Sequence, residues 1–188
     1  MKTILFSILR LLLTPFRLFS RRRNGVTDAT VQRRPMPNDI LLGLARQMIR
    51  EGGTDQYGHP IAHHTATILA KGYSMRPFLE HERDKVQLAF PTQPLQVGDA
   101  VLAEISPGRY VLHRIIQVQD QHLTLMGDGN LRGTETCRLS DVAGIVTHYI
   151  RPRRTIPASS PSLRRRIRLW RRLLPIRRYL LYIYKATL

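Results

Sequence analysis

Cysteine, lysine and long apolar runs are scarce in this sequence. A single cysteine, Cys137, in 188 residues leaves no intrachain disulfide to staple the fold and no sign of an oxidising compartment. Four lysines, Lys2, Lys71, Lys85 and Lys185, leave few candidates for any chemistry that needs a neutral amine. Every apolar stretch falls short of the roughly 18 to 20 residues that cross a bilayer. Acidic residues are missing altogether from 151–188.

What is abundant is arginine, and its placement matters more than the net charge of +17. Residues 1–50 carry 10 Lys/Arg against 2 Asp/Glu, and residues 151–188 carry 12 against none. Between them, residues 51–150 carry 8 against 11. A slightly acidic middle between two basic ends is not the even basic coat of a nucleic-acid-binding domain. Four segments follow: 1–23, a linker at 24–62, a body at 63–150, and a basic arm at 151–188.

Segment 1–23, "MKTILFSILRLLLTPFRLFSRRR", is apolar but broken by Arg10, Pro15 and Arg17. Arginines 21–23 follow it where a secretory signal would place small residues for cleavage. It reads as an interfacial helix lying in lipid headgroups, with its arginines turned toward phosphates. The excess of positive charge after it places the rest of the chain on the cytoplasmic face, the alternative being an anchored body outside the cytoplasm. The linker contains a short helix, Asp39 to Arg50, with Ile40, Leu41, Leu44 and Met48 along one face.

The arm 151–188 reads as a second amphipathic helix. Ser160 is its expected N-cap and Pro161 its first residue. At 100° per residue, Leu163, Ile167, Trp170 and Leu174 share a face opposite Arg164, Arg168, Arg171 and Arg172, and Pro175 kinks it. A basic amphipathic helix with one Trp and three Tyr favours an anionic membrane surface. Nothing spaced as a helix-turn-helix accompanies it, which argues against a nucleic-acid partner.

Within 63–150 the period changes to that of strands. "TATILA", "KVQLAF", "DAVLAEI", "YVLHRIIQV", "HLTLM" and "VAGIVTHYI" are separated by Gly, Pro and Asp turns. The expected fold is mainly β, a small coiled sheet or partly closed barrel flanked by the two amphipathic helices.

Two residues in it invite chemistry. Ser74, in "KGYSMRPFLE", stands between Gly72 and Pro77 on a tight turn, the setting in which a hydroxyl is held clear of a sheet. Such a serine needs a base, and His113 interrupts the apolar strand "YVLHRII". Of the other histidines, His63 and His64 are adjacent and would face opposite ways on a strand, and no Cys or acid completes a ligand set. No metal and no cofactor is expected.

The order "GYSMRPFL", "DKV", "LQVGDAVL", "YVLHRII" and "GDGN" resembles the signal peptidase family of serine proteases, over residues 66 to 146. The resemblance implies Ser74 as nucleophile, Met75 packed beneath it, and His113 as general base, as in the histidine branch of that family. Gly72, Pro77, Arg114, Gly127 and Asn130 complete the matched boxes. An oxyanion hole at Ser74 N–H, with the turn at Gly72, is implied as well. The resemblance also implies Asp128, the acid of the last box, as the third catalytic residue that orients the imidazole, with Glu135, the only acid shortly after that box, as the alternative. The expected function is a membrane-associated serine endopeptidase cleaving leader or signal-like peptides with small residues before the scissile bond. A catalytically silent membrane adaptor of this fold and a basic-arm nucleic-acid binder are the alternatives.

Overall fold

Alternating apolar side chains make the strands, and their turns set the order in which they pair. The computed structural model describes residues 38–51 and 65–186. Segment 1–23, most of the linker, and His59, His63 and His64 lie outside the described residues. Helix α1 (Asn38–Glu51) is followed by β1 (Thr65–Leu69), β2 (Lys85–Ala89), β3 (Ala100–Ser106), β4 (Arg109–Gln119) and β5 (His122–Met126). Then come β6 (Glu135–Arg138), β7 (Val142–Arg151), β8 (Arg154–Pro157), α2 (Pro161–Arg172) and α3 (Arg177–Ala186).

The strands form one open antiparallel sheet in the order β1-β2-β7-β3-β4-β5-β6, with β8 on β7. All six expected strand segments are present. The short polar strands β6 and β8 escaped the sequence pattern because four residues are too few to show a period of two. The sheet buries both of its faces. Val101, Ala103, Ile115, Leu123, Leu125, Cys137 and Val142 form a small core around β3 to β6. The larger core joins Ile68, Val86, Leu88, Leu102, Val146 and Tyr149 to the three described helices.

Two expectations change here. Helix α1 buries Leu42, Ala45 and Ile49, whereas Ile40, Leu44 and Met48 are exposed. Its slimmer face wins because Gly144, which has no side chain, leaves room for Ile49 against the sheet. The arm 151–188 is not separate: position 150 lies inside β7, β8 pairs with β7, and α2 and α3 pack into the larger core. Leu163, Ile167 and Trp170 do share the buried face of α2, but the protein covers that face. Leu174 sits exposed in the turn containing Pro175. Ser160 precedes α2 as expected, yet its hydroxyl meets Ser162 Oγ rather than the helix backbone.

No described helix is long and apolar enough to cross a membrane.

Candidate active site

Ser74 lies on the irregular stretch that links the edge strand β1 to β2. The ends of this stretch are joined, Ala70 N–H donating to Asp84 O and Glu82 N–H to Ala70 O, both at 2.8 Å. Met75, Phe78 and Leu79 are buried beneath it and anchor it by apolar contact. Gly72 turns at φ +86°, where a side chain would be strained. Its N–H donates to His81 Nδ1 at 3.0 Å, so the turn next to the serine is held from outside the matched box. That bond removes Gly72 N–H as an oxyanion donor. Ser74 N–H has no acceptor among the described residues and remains available.

The 127–130 turn packs directly on this stretch. Gly129 N–H donates to Ser74 O at 2.7 Å. A Cβ on Gly127 would lie 2.5 Å from Ser74 O, and one on Gly129 would lie 2.5 Å from Tyr73 O. Only glycine allows this approach, so the turn fixes the backbone that carries the serine.

Strand β4 carries His113 and sorts the two carboxylates. Neighbouring residues on a strand face opposite ways, so His113 and Arg114 look to different sides. On one side, Glu135 Oε2 lies 2.9 Å from His113 Nδ1. An ionised carboxylate only accepts, so Nδ1 donates and Nε2 is left as the basic nitrogen. His113 is buried and Glu135 partly exposed. On the other side, Arg114 Nε donates to Asp128 Oδ1 and Oδ2 at 2.8 and 2.9 Å, and its NH2 to Oδ2 at 2.5 Å. Burial works against the Arg114 charge, but Asp128 and Tyr149 hold its proton more tightly than usual. Asp128 is thus bound to Arg114 and does not orient His113. Glu135 does. The reason is register: β6 pairs with β5 so that Glu135 sits across from Leu125, which in turn lies opposite Ile115 on β4.

Ser74 and His113 line the same cleft, of about 110 Å3. Its apolar wall includes Ile68, Met75, Leu79 and Leu42, the last contributed by α1. Arg46 fastens that helix over β3 and β4, through Glu104 Oε2 at 2.6 Å and Tyr110 Oη at 2.8 Å. Among the described residues Ser74 Oγ makes no hydrogen bond to His113, and serine–base bonds commonly tighten only when substrate is bound. Lys71 also lines the cleft, three residues before the serine, a placement the strand pattern did not anticipate.

Behind the site, the C-terminal helices grip both turns. Trp170 Nε1 donates to Asp128 O at 2.8 Å, and Arg177 NH1 to Asn130 O at 2.9 Å. Tyr184 Oη donates to Glu80 Oε2 at 2.9 Å, while Glu80 Oε1 accepts from Arg76. Burial first, and Glu80 with it, raises the Tyr184 phenol above its ordinary range, which keeps it a donor. The helical period marks Trp170 as apolar but does not reveal these contacts, which depend on the helices packing onto the body.

Pro77 is buried in the serine stretch after a cis peptide bond with Arg76. Among the described residues no cluster of three His, Cys, Asp or Glu could hold a metal ion. Compared with protein-family models, curated proteins and solved structures, the chain finds no match.

Proposed function

We propose that the chain is a serine endopeptidase of signal peptidase type, in which Ser74 is the nucleophile, His113 the general base and Glu135 the group that orients it. The observation that carries this reading is that His113 shares a cleft with Ser74 while giving Nδ1 to Glu135. A serine hydroxyl is a weak nucleophile until a neighbouring base takes its proton.

In the reaction, His113 Nε2 accepts the Ser74 Oγ proton as Oγ attacks the carbonyl carbon of the scissile bond. The oxyanion that forms is met by Ser74 N–H. The imidazolium, stabilised by Glu135, then protonates the departing amine and leaves an acyl-enzyme. Water, activated by the same Nε2, hydrolyses the ester and restores Ser74.

Substrates are leader or signal-like segments at a membrane, cut after small residues. A narrow cleft with Ile68, Met75 and Leu79 in its wall suits a short apolar side chain better than a bulky or charged one. The balance of charge along the chain favours the cytoplasmic face as the place of work.

The test is cleavage of a leader-peptide library, varied before the scissile bond, by the purified full chain with anionic vesicles present. Cleavage by wild type that disappears in Ser74→Ala and in His113→Ala supports the reading. Cleavage that survives either substitution removes that residue from its role. No cleavage under any condition favours the silent adaptor, for which the missing Ser74–His113 hydrogen bond is the one supporting observation.

A further inference from the structure

The docking of α2 and α3 turns their charged sides outward. Helix α2 buries Leu163, Ile167 and Trp170, so Arg165, Arg168 and Arg172 project from the opposite side, three and four residues apart along one line. All three are exposed. Helix α3 buries Arg177, Leu180 and Tyr184 and exposes Arg178, Tyr179, Tyr182 and Lys185. Tyr179 is 55% exposed and Tyr182 77% exposed, and Leu174 in the intervening turn is 39% exposed. With no acid anywhere in 151–188, nothing in these helices neutralises the arginines from within. Arg164 and Arg171, on the flanks of α2, instead reach the body, at Asp99 (3.2 Å) and Ile116 O (3.1 Å).

We propose that this outward arginine and tyrosine face is a docking surface for an anionic lipid bilayer, used while the helices remain packed on the catalytic body. The usual mode for a basic amphipathic helix is to lay its apolar face in the lipid. Here that mode would tear Trp170 from Asp128 O and Arg177 from Asn130 O, and would uncover the larger core. Contact through the outer face costs none of these bonds. Arginines seat on lipid phosphates, while exposed tyrosines and Leu174 enter the headgroup boundary, where a ring with one polar end is at home. Nucleic-acid phosphates offer the same charge but no apolar layer for Leu174. The surface uses neither Ser74 nor His113, so it stands independently of the peptidase reading.

Trp170 makes the proposal testable because it is the only tryptophan. The full-length Ser74→Ala protein would be titrated with phosphatidylcholine vesicles with and without phosphatidylglycerol, some carrying brominated acyl chains. Fluorescence of Trp170 reports whether α2 stays docked, and sedimentation reports binding. The expected result is binding to the anionic vesicles with Trp170 unquenched by bromine. Neutralising Arg165, Arg168 and Arg172 together to Gln should weaken binding about a hundredfold, at roughly fivefold per lost basic residue. Circular dichroism of the triple variant should match the parent, since these side chains face water. Quenching of Trp170 by brominated lipid would overturn the proposal in favour of apolar insertion. Unchanged vesicle binding by the triple variant would overturn it too. A hundredfold loss on duplex DNA or RNA with no loss on vesicles would assign the surface to nucleic acid instead.

Discussion

Glu135 Oε2 meets His113 Nδ1 at 2.9 Å although the two residues stand 22 positions apart and on strands that do not pair with each other. The bond fixes the imidazole tautomer. In the proposed reaction it also places a negative charge beside the imidazolium that forms.

Substituting Glu135 by Gln keeps the size and a carbonyl oxygen but removes the charge. Activity toward a leader peptide is expected to fall about 10²- to 10⁴-fold, mainly in kcat. Thermal stability should change little, because the carboxylate is partly exposed. Steady-state kinetics alongside a melting curve separates the two effects. Equal kcat in the variant would remove Glu135 from the mechanism.

Asp128 is expected to behave in the opposite manner. Its carboxylate and the Arg114 guanidinium are both buried, at 3% and 1% side-chain exposure. Replacing Asp128 by Ala leaves a buried cation without its partner and should cost about 3–5 kcal/mol. Urea unfolding measures this directly. Activity that falls only in proportion to the folded fraction is the expected companion result. Loss of kcat in fully folded protein would return Asp128 to the catalytic apparatus.

Lys71 and His113 both line the cleft with Ser74, and the proposed reaction assigns the base to His113. Lys71 is half-buried, whereas His113 is 6% exposed and has its Nδ1 held by Glu135. Lys71→Met should therefore retain kcat within about threefold, as expected of a side chain outside the proton path. His113→Ala should lose about 10²- to 10⁴-fold. Single-turnover kinetics on the two variants decides between them, and the reverse ranking would make this a serine–lysine enzyme.

Cys137 supplies a reporter of the small core. Burial, with Asp141 adding to it, pushes its thiol up to about 11 from the ordinary 9.0. The folded thiol thus keeps its proton longer than the unfolded one. The stability this contributes is complete below the unfolded value near 9 and is lost as pH rises through about 11. Iodoacetamide should leave Cys137 unmodified in native protein at neutral pH and label it once urea unfolds the chain. Rapid labelling of native protein would show that the core around β3 to β6 opens readily.

Much of this arrangement was legible in the residues, and what was not has identifiable causes. The strand segments showed themselves through alternation, and Ser74 and His113 through residues out of keeping with their surroundings. The structure brings those two into one cleft. The choice between Asp128 and Glu135 could not be read. It turns on which face of β4 each of two neighbouring residues takes, and on the pairing of β6, a strand of four residues. The period of the C-terminal helix predicted its buried side chains, Leu163, Ile167 and Trp170. Periodicity describes a face, however, and says nothing of whether lipid or protein covers it. The same limit explains α1, where a glycine 95 positions downstream of Ile49, at Gly144, selects the face that packs.

If Ser74 is acylated with His113 as its base, the acyl-enzyme can be trapped. An activated ester of a peptide ending in alanine would be mixed with the full chain and anionic vesicles, quenched in acid, digested, and read by mass spectrometry. An acyl adduct is expected on the peptide containing Ser74, abolished in Ser74→Ala and slowed about 10²-fold or more in His113→Ala. An adduct that maps elsewhere, or forms on Ser74 at the same rate without His113, would contradict that reading.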